Sequence, residues 1–417
     1  MIHRICIAAA LAFAAQSAPA QELSLDEALS IATAAAPQLA AQSAAVRAAR
    51  ATQGAASELP DPRLIAAVEN VPTDGADKYS LTADSMTMRK IGVMQDFPLA
   101  EKRRLRGERA EAEAKREEAV LAVTEVDLRR DVALAWIDTW SAEQQLALAR
   151  EAQREADLGV TGAEAALAGG RGPAADSFAA RLAAAQAADR VIEAQRLVTR
   201  SREQLARWIG RDARRDLGTP PDFTRLAHAH EDLLGDLESH PHLAMYAPMQ
   251  AMADAEVKLA EAAKRPDWSL EVTYAQRGGA YSNMLSVGIR MDLPIFEGRR
   301  QEPAIASRLA AAEQVRSQAE VARRAHLAEV RVMLADWNAA RERAQRIESQ
   351  QVPLAQERMK ATLAAYGGGR AELAPVLEAR RADVETRMSL LQARTEAGRA
   401  WAQLNFLLPH DATRRQP

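Results

Sequence analysis

Two groups of side chains in this sequence could bind a metal ion. Four of the seven histidines fall within one short segment: His228, His230, His240 and His242. Three methionines share a second segment: Met86, Met88 and Met94. Imidazole suits zinc and copper, whereas thioethers are soft ligands suited to copper or silver.

A structural role is the favoured interpretation of both groups. His240-Pro241-His242 lies where the first half of the chain has Ala36-Pro37-Gln38, so this position is a junction in both halves. A methionine stripe on a strand is more often lipid-facing packing. We therefore predict no metal site and no cofactor, and metal binding by either group stays an open alternative.

The remaining residues do not predict an enzyme. No set of nucleophile and base and no phosphate-binding loop is present. The only cysteine, Cys6, lies in residues 1–20, which have the pattern of a signal peptide: Arg4, an apolar core over 5–15, and Ala18-Pro19-Ala20 before the cleavage point. The mature chain would contain no thiol. The formal net charge of the full sequence, −3, gives no reason to expect a nucleic-acid partner.

Four segments have the alternation of a β-strand. In 267–276 and 284–294, apolar residues alternate strictly with polar or small ones, and weaker candidates lie at 62–71 and 86–97. About ten residues is the length of a tilted strand that spans a bilayer, with one face toward lipid and the other toward a wet lumen. The polar set that would face the lumen includes Glu271, Arg290 and Asp292.

Long helices are predicted around these strands. The segment 99–167 contains very little glycine or proline, and at 1.5 Å per residue it would be about 100 Å long. Further long helices are predicted over 174–209, 305–366 and 372–408. Their apolar residues follow three-four steps, the spacing of a left-handed coiled coil.

The second half of the chain repeats the first. Residues 91–104 align without gaps to 287–300, with six of fourteen positions identical. Glycine-rich turns also recur, at 169–172 and 367–369. We therefore divide the chain into a signal peptide (1–20), a first structural repeat (21–210) and a second structural repeat (211–417).

Four strands cannot close a barrel of useful bore, and an open edge in lipid leaves backbone groups unsatisfied. Three chains would supply twelve strands, an even number compatible with antiparallel closure. A periplasmic coiled-coil scaffold without membrane insertion would explain the helices, but it would not explain four alternating strands placed symmetrically in the two halves.

These features resemble the TolC family of outer-membrane efflux proteins. The likeness covers the mature chain and rests on the duplicated half, the strand-Pro-helix junctions and the tip segments ALAGGRGPAADSFAA and AAYGGGRAELAPVLEA. The resemblance implies a mainly helical, homotrimeric channel in the Gram-negative outer membrane, with a shared twelve-stranded barrel and coiled-coil periplasmic helices. It also implies a periplasmic adaptor and an inner-membrane pump as partners. The segments DPRL, ENVPTDG and MRKIGVMQDFPLAEKRR are similar to the branch that serves heavy-metal RND pumps.

The resemblance also suggests roles for residues at the turns. Glu378 matches one acidic position of the periplasmic gate, and Pro375 replaces the other. Asp176 matches an acid that pairs with a basic residue of the second tip, for which Arg370 stands one place out of register. The glycines would contact the adaptor: Gly169, Gly170, Gly172, Gly367, Gly368 and Gly369. Ordinary structural roles are the alternatives: a solvated helix face for Glu378, a carboxylate near a helix N-terminus for Asp176, and turn geometry for the glycines.

The sequence thus predicts the outer-membrane channel of a tripartite efflux system, a passive exit duct whose substrate is a heavy-metal cation. The alternatives are drug efflux or type I secretion through the same channel, or the periplasmic scaffold.

Overall fold

The computed structural model describes residues 22–170, 172–235 and 237–409. The predicted signal peptide, with Arg4 and Cys6, lies outside the described residues, and so does Arg171 in the first glycine-rich turn. Within the described ranges the chain is mainly helical and carries one four-stranded sheet. The predicted mainly α fold with four strands is therefore confirmed. None of the helices in these ranges is both long and apolar enough to cross a membrane.

The helices and strands follow one another in the order that the sequence predicts. They are α1 Leu25–Ala35, α2 Pro37–Ala56, β1 Arg63–Glu69, β2 Met88–Phe97, α3 Ala100–Ala168, α4 Ala174–Ile209, α5 His230–Gly235, α6 Pro241–Ala244, α7 Tyr246–Ala262, β3 Trp268–Gln276, β4 Met284–Met291, α8 Glu297–Arg346, α9 Val352–Gly367 and α10 Leu373–Asn405. The hydroxyl of Ser24 caps α1 by accepting a hydrogen bond from the Glu27 backbone N at 3.2 Å.

One predicted helix differs from the structure. The helix expected over 305–366 begins earlier, at Glu297, and a π-helical turn, Ile347–Gln351, divides it into α8 and α9. Pro353 lies two residues after the end of this turn. Proline has no N–H to donate, and its ring crowds the carbonyl four residues earlier, which favours a local departure from the regular α-helical ladder here. Pro303, by contrast, lies inside α8 without such a turn.

The described chain divides into two compact units, and each takes segments from both sequence halves. The helical unit comprises residues 22–36, 127–229 and 331–406. The strand unit comprises 37–126, 230–330 and 407–409. In the helical unit Trp136 is fully buried, and its indole N–H donates to the Leu23 carbonyl at 3.1 Å. Trp401 donates in the same way to the Arg225 carbonyl at 2.7 Å.

The strand unit contains the sheet. Its order is β1-β2-β3-β4, and all three pairings are antiparallel. In the middle of the sheet Val272 of β3 lies opposite Val93 of β2 on one side and Val287 of β4 on the other. Both outer strands, β1 and β4, have one edge that no other described strand covers.

Candidate functional site

The sheet has one apolar face, and that face is exposed. The strand register places alternate residues of all four strands side by side on it. Its large exposed apolar side chains are Leu64, Val68, Ile91, Val93, Trp268, Val272, Tyr274, Leu285, Val287, Ile289 and Met291. A contiguous apolar surface of this extent is unusual on a protein that meets only water.

Aromatic side chains lie toward both ends of this apolar face. At one end the rings of Phe97 and Trp268 stack with a centroid distance of 4.3 Å. Toward the other end, the hydroxyl of Tyr274 accepts a hydrogen bond from Nδ2 of Asn283 at 2.7 Å. Aromatic residues that border an apolar band of strands are typical of membrane interfaces, where a ring can keep one edge hydrated.

The opposite face of the sheet is polar and carries ion pairs. Arg290 pairs with Glu271 at 3.3 Å between Nη2 and Oε2, which brings together two of the three predicted lumen residues. The third, Asp292, directly follows the last residue of β4. The same face holds two more ion pairs, Arg63 with Asp96 and Lys90 with Glu69. Each of these three basic groups therefore has an acidic partner.

The two glycine-rich turns are built alike. Gly170 follows α3 with a φ of +67°, and Gly369 follows α9 with a φ of +66°. The backbone N of Gly170 donates to the Leu167 carbonyl at 3.0 Å, and that of Gly369 donates to the Tyr366 carbonyl at 2.9 Å. Glycine adopts this left-handed conformation without strain, so Gly170 and Gly369 each have a backbone role.

The helix ends beside these turns share a small core. Ala163 and Ala180, from α3 and α4, pack with Leu373 and Val376 of α10. Asp176 lies in the first turn of α4, and Arg370 is exposed in the second glycine-rich turn. Within the described part of the chain, no ion pair joins these two side chains.

Glu378 is exposed on α10 and pairs with Arg358 of α9 at 2.7 Å. Sequence reasoning missed this partner. It also missed a neighbouring network in which Arg387 bonds the buried Asp383 at 3.0 Å and Glu151 at 2.9 Å. The four-residue spacing of Asp383 and Arg387 on one helix was the available clue.

The histidines form a different group from the one that their sequence spacing suggested. His240 is fully buried, and its Nδ1 lies 2.8 Å from Nε2 of His326, a residue 86 positions away. The ring of His242 is 6.3 Å from that of His326. Burial, with the charge of His242 second, lowers the pKa of His326. Across residues 22–170, 172–235 and 237–409, no group of three or more His, Cys, Asp or Glu side chains is arranged to hold a metal ion.

The methionines also have defined positions. Met88 and Met94 lie on the polar face of β2 and not on its apolar face, so the interpretation of these two as lipid-facing packing is wrong. The sulfur of Met94 is 3.4 Å from Nη1 of Arg290. Met86 is exposed in the loop before that strand.

Known proteins resemble this chain in sequence over its second half and in fold over nearly its whole length. Residues 236–409 match the model of the family described as outer membrane efflux protein. No curated protein matches the chain in sequence. Solved structures share its fold over nearly the whole length. CusC superposes with a TM-score of 0.78 at 17% identity, covering 93% of this chain and 92% of CusC. The outer membrane protein VceC from Vibrio cholerae gives 0.77 at 20% identity, covering 92% and 95%, and the outer-membrane channel OprN gives 0.78 at 20% identity, covering 92% and 89%.

The chain thus has the fold of solved outer-membrane channels, and its sheet carries an exposed apolar face. The family match over residues 236–409 and the shared fold agree with the predicted resemblance to the TolC family of outer-membrane efflux proteins.

Proposed function

We propose that the chain is one of three identical subunits of an outer-membrane duct. In this proposal an inner-membrane RND pump and a periplasmic adaptor deliver heavy-metal cations, which leave the cell passively through the duct. The observation that carries the proposal is the four-stranded sheet, with an exposed apolar face, an ion-paired face and two open edges. Each unsatisfied backbone group in lipid costs several kcal/mol, so the edges need partners, and three copies would give an even twelve strands.

The polar face of the sheet would line the duct, with Glu271, Arg290 and Asp292 among its residues. Since each of its three basic groups pairs with an acid, this face presents charges of both signs rather than a strong field of one sign. Discrimination between cargoes by charge is therefore expected elsewhere along the path.

We assign the charge discrimination to the helix ends. Three copies of Glu378 would form a ring of carboxylates that favours cations. The exposed ion pair with Arg358 holds it only weakly, because such pairs contribute about 0–1 kcal/mol. Asp176 of one copy would pair with Arg370 of a neighbour when the tips are closed, and the six turn glycines would contact the adaptor.

The heavy-metal assignment rests on the segments around Asp61, Glu69 and Met88, which are similar to the heavy-metal branch of the TolC family. Drugs or a secreted protein are the alternative cargoes for the same duct.

Growth of a deletion strain tests the cargo. Cells without the gene are plated on zinc, cobalt, cadmium, copper and silver salts and on a panel of hydrophobic antibiotics, with the complemented strain as the control. Sensitivity confined to metals supports the proposal, and the ion affected identifies the pump class. Sensitivity confined to antibiotics would refute the metal assignment and leave the duct intact.

Extraction distinguishes the duct from a periplasmic scaffold. A protein that lies in the outer membrane stays with the membrane after osmotic shock and needs detergent for release. A scaffold would be released by osmotic shock alone, and that result would refute membrane insertion.

A further inference from the structure

The internal repeat relates the two edges of the sheet. Strand β2 corresponds to β4 with a shift of 196 residues, because Gly92, Asp96 and Pro98 recur as Gly288, Asp292 and Pro294. This shift makes Arg290 the counterpart of Met94.

The hydrogen-bonded ladders then fix the shift between β1 and β3. Arg63 pairs with Met94 in the first hairpin, and Ser269 pairs with Arg290 in the second. Arg63 therefore corresponds to Ser269, a shift of 206 residues. The sequence agrees independently, since Pro60-Asp61-x-x-Leu64 recurs under this shift as Pro266-Asp267-x-x-Leu270.

Inside one chain the two repeats meet where β2 pairs with β3. This junction contains the pairs Lys90 with Ala275, Gly92 with Thr273, and Met94 with Glu271. Applying the two shifts to these pairs gives a second junction of the same kind, in which β4 of one copy meets β1 of the next.

We propose that β4 of one copy of this chain pairs antiparallel with β1 of the next copy, in a defined register. This proposal rests on the proposed function, in which three copies share one sheet. The direct pairs are Ser286 with Glu69, Gly288 with Ala67, Arg290 with Ile65, and Asp292 with Arg63. In each pair the second residue belongs to the neighbouring copy.

The chemistry of the two edges fits this register. On the apolar face it sets Val287 against Val68 and Met291 against Leu64, so the exposed apolar band continues across the contact. On the polar face it sets the carboxylate of Asp292 against the guanidinium of Arg63. A slip of one residue would put every side chain on the wrong face, so the alternation alone excludes odd shifts.

Two residues that have close neighbours at the β2–β3 junction have counterparts without such neighbours at the open edges. The proposed contact would supply the missing neighbours. A Cβ built on Gly92 would lie 2.5 Å from the Val272 carbonyl oxygen, because the neighbouring strand passes close to the glycine. The corresponding Gly288 has nothing within 4 Å.

The second feature is a carboxylate at the start of a helix. Oδ1 of Asp267 accepts a hydrogen bond from the backbone N of Leu99 and another from Nζ of Lys102, each at 3.0 Å, next to the start of α3. Its counterpart Asp61 has no hydrogen bond or ion pair among the described residues. In the proposed register Asp61 would lie next to the start of α8 of the neighbouring copy.

Cysteine cross-linking of the full-length protein in outer membranes tests the register. Cys6 is the only cysteine, so a Cys6→Ser background removes competing thiols. Two matched pairs, Ser286→Cys with Glu69→Cys and Arg290→Cys with Ile65→Cys, should form covalent dimers and trimers on non-reducing gels. Directly opposite Cβ atoms are about 4.5–5.5 Å apart, close to the span of a disulfide.

Exchanging the partners supplies the controls. Ser286→Cys with Ile65→Cys, and Arg290→Cys with Glu69→Cys, are four residues out of register, or about 13 Å along the strand. These crossed pairs should give only background cross-linking. Lys90→Cys with Ala275→Cys is the corresponding pair inside one chain and reports whether the sheet has formed and the oxidation has worked.

The outcomes separate the register from the proposed function. If the crossed pairs cross-link as well as or better than the matched pairs in a protein that is still trimeric, the register is wrong and the duct stands. If the intrachain pair forms but the protein is extracted as a monomer without any intermolecular cross-link, the register and the shared sheet are both refuted.

Discussion

Replacing Val287 by arginine separates a sheet in lipid from a sheet in water. Val287 lies on the apolar face and is 65% exposed in the isolated chain. It is the fourth of eight residues of β4, so about 10–13 Å of strand extends on either side, and the residue lies near the middle of an apolar band about 25 Å tall.

An arginine at the midplane of the lipid-facing surface costs about 2–4 kcal/mol per subunit. Because every 1.4 kcal/mol is a factor of ten, we expect a drop of about 30- to 1,000-fold in the equilibrium constant for folding into the bilayer. If the same face met water, an exposed substitution would change stability by no more than about 0.5 kcal/mol.

The assay is urea unfolding from phospholipid vesicles, together with the amount of protein in the outer-membrane fraction. Ser286→Arg is the matched control, because it adds the same group one residue away on the polar face, where we expect little change. Val332→Arg is a second control, because it places arginine at another exposed valine, on α8 and outside the sheet. Equal stability of Val287→Arg and Ser286→Arg would refute the assignment of the apolar face to lipid.

Three further predictions concern the helical parts. Glu378→Gln should raise single-channel conductance or reduce cation preference in planar bilayers, whereas Arg358→Gln should not reduce that preference; equal effects would restrict Glu378 to a surface ion pair. Trp136→Phe should lower the free energy of unfolding by about 1 kcal/mol, because the Leu23 carbonyl loses the indole N–H but keeps the 3.1 Å bond from the Gly218 backbone N. Urea unfolding measures this loss, with Trp208→Phe as the control. Burial first, and the charge of His242 second, lowers the pKa of His326 below 6.5, while the carboxylate of Glu329, 3.9 Å from His326 Nδ1, acts in the opposite sense with a smaller effect. The unfolded chain then binds more protons, so stability should fall as pH drops below about 6.5, and His326→Gln should reduce this fall in thermal unfolding between about pH 7.5 and about pH 5.5. An unchanged pH dependence would exclude His326 as its source.

Local patterns in the sequence were sufficient to predict the helices, the four strands and the two glycine-rich turns. The side-chain period of a strand is two wherever its partners lie, so the alternation around Val272 separates an apolar from a polar face without knowledge of the sheet. The conformational freedom of glycine likewise identifies Gly170 and Gly369 as turn residues. The missing amide hydrogen of Pro353 predicts the loss of one helical hydrogen bond, but not a π-helical turn, since Pro303 lies inside α8 without one.

The tertiary structure decided which distant residues meet. His240 contacts His326 and not the histidines near it in sequence, and Glu378 pairs with Arg358 on the preceding helix. The pairing of β2 with β3 joins residues about 180 positions apart, and no turn between them fixes its register. The periodicity of apolar residues shows which face of a segment is buried. The partner of a strand and its pairing register depend on how whole segments pack together, and no local sequence pattern specifies that packing.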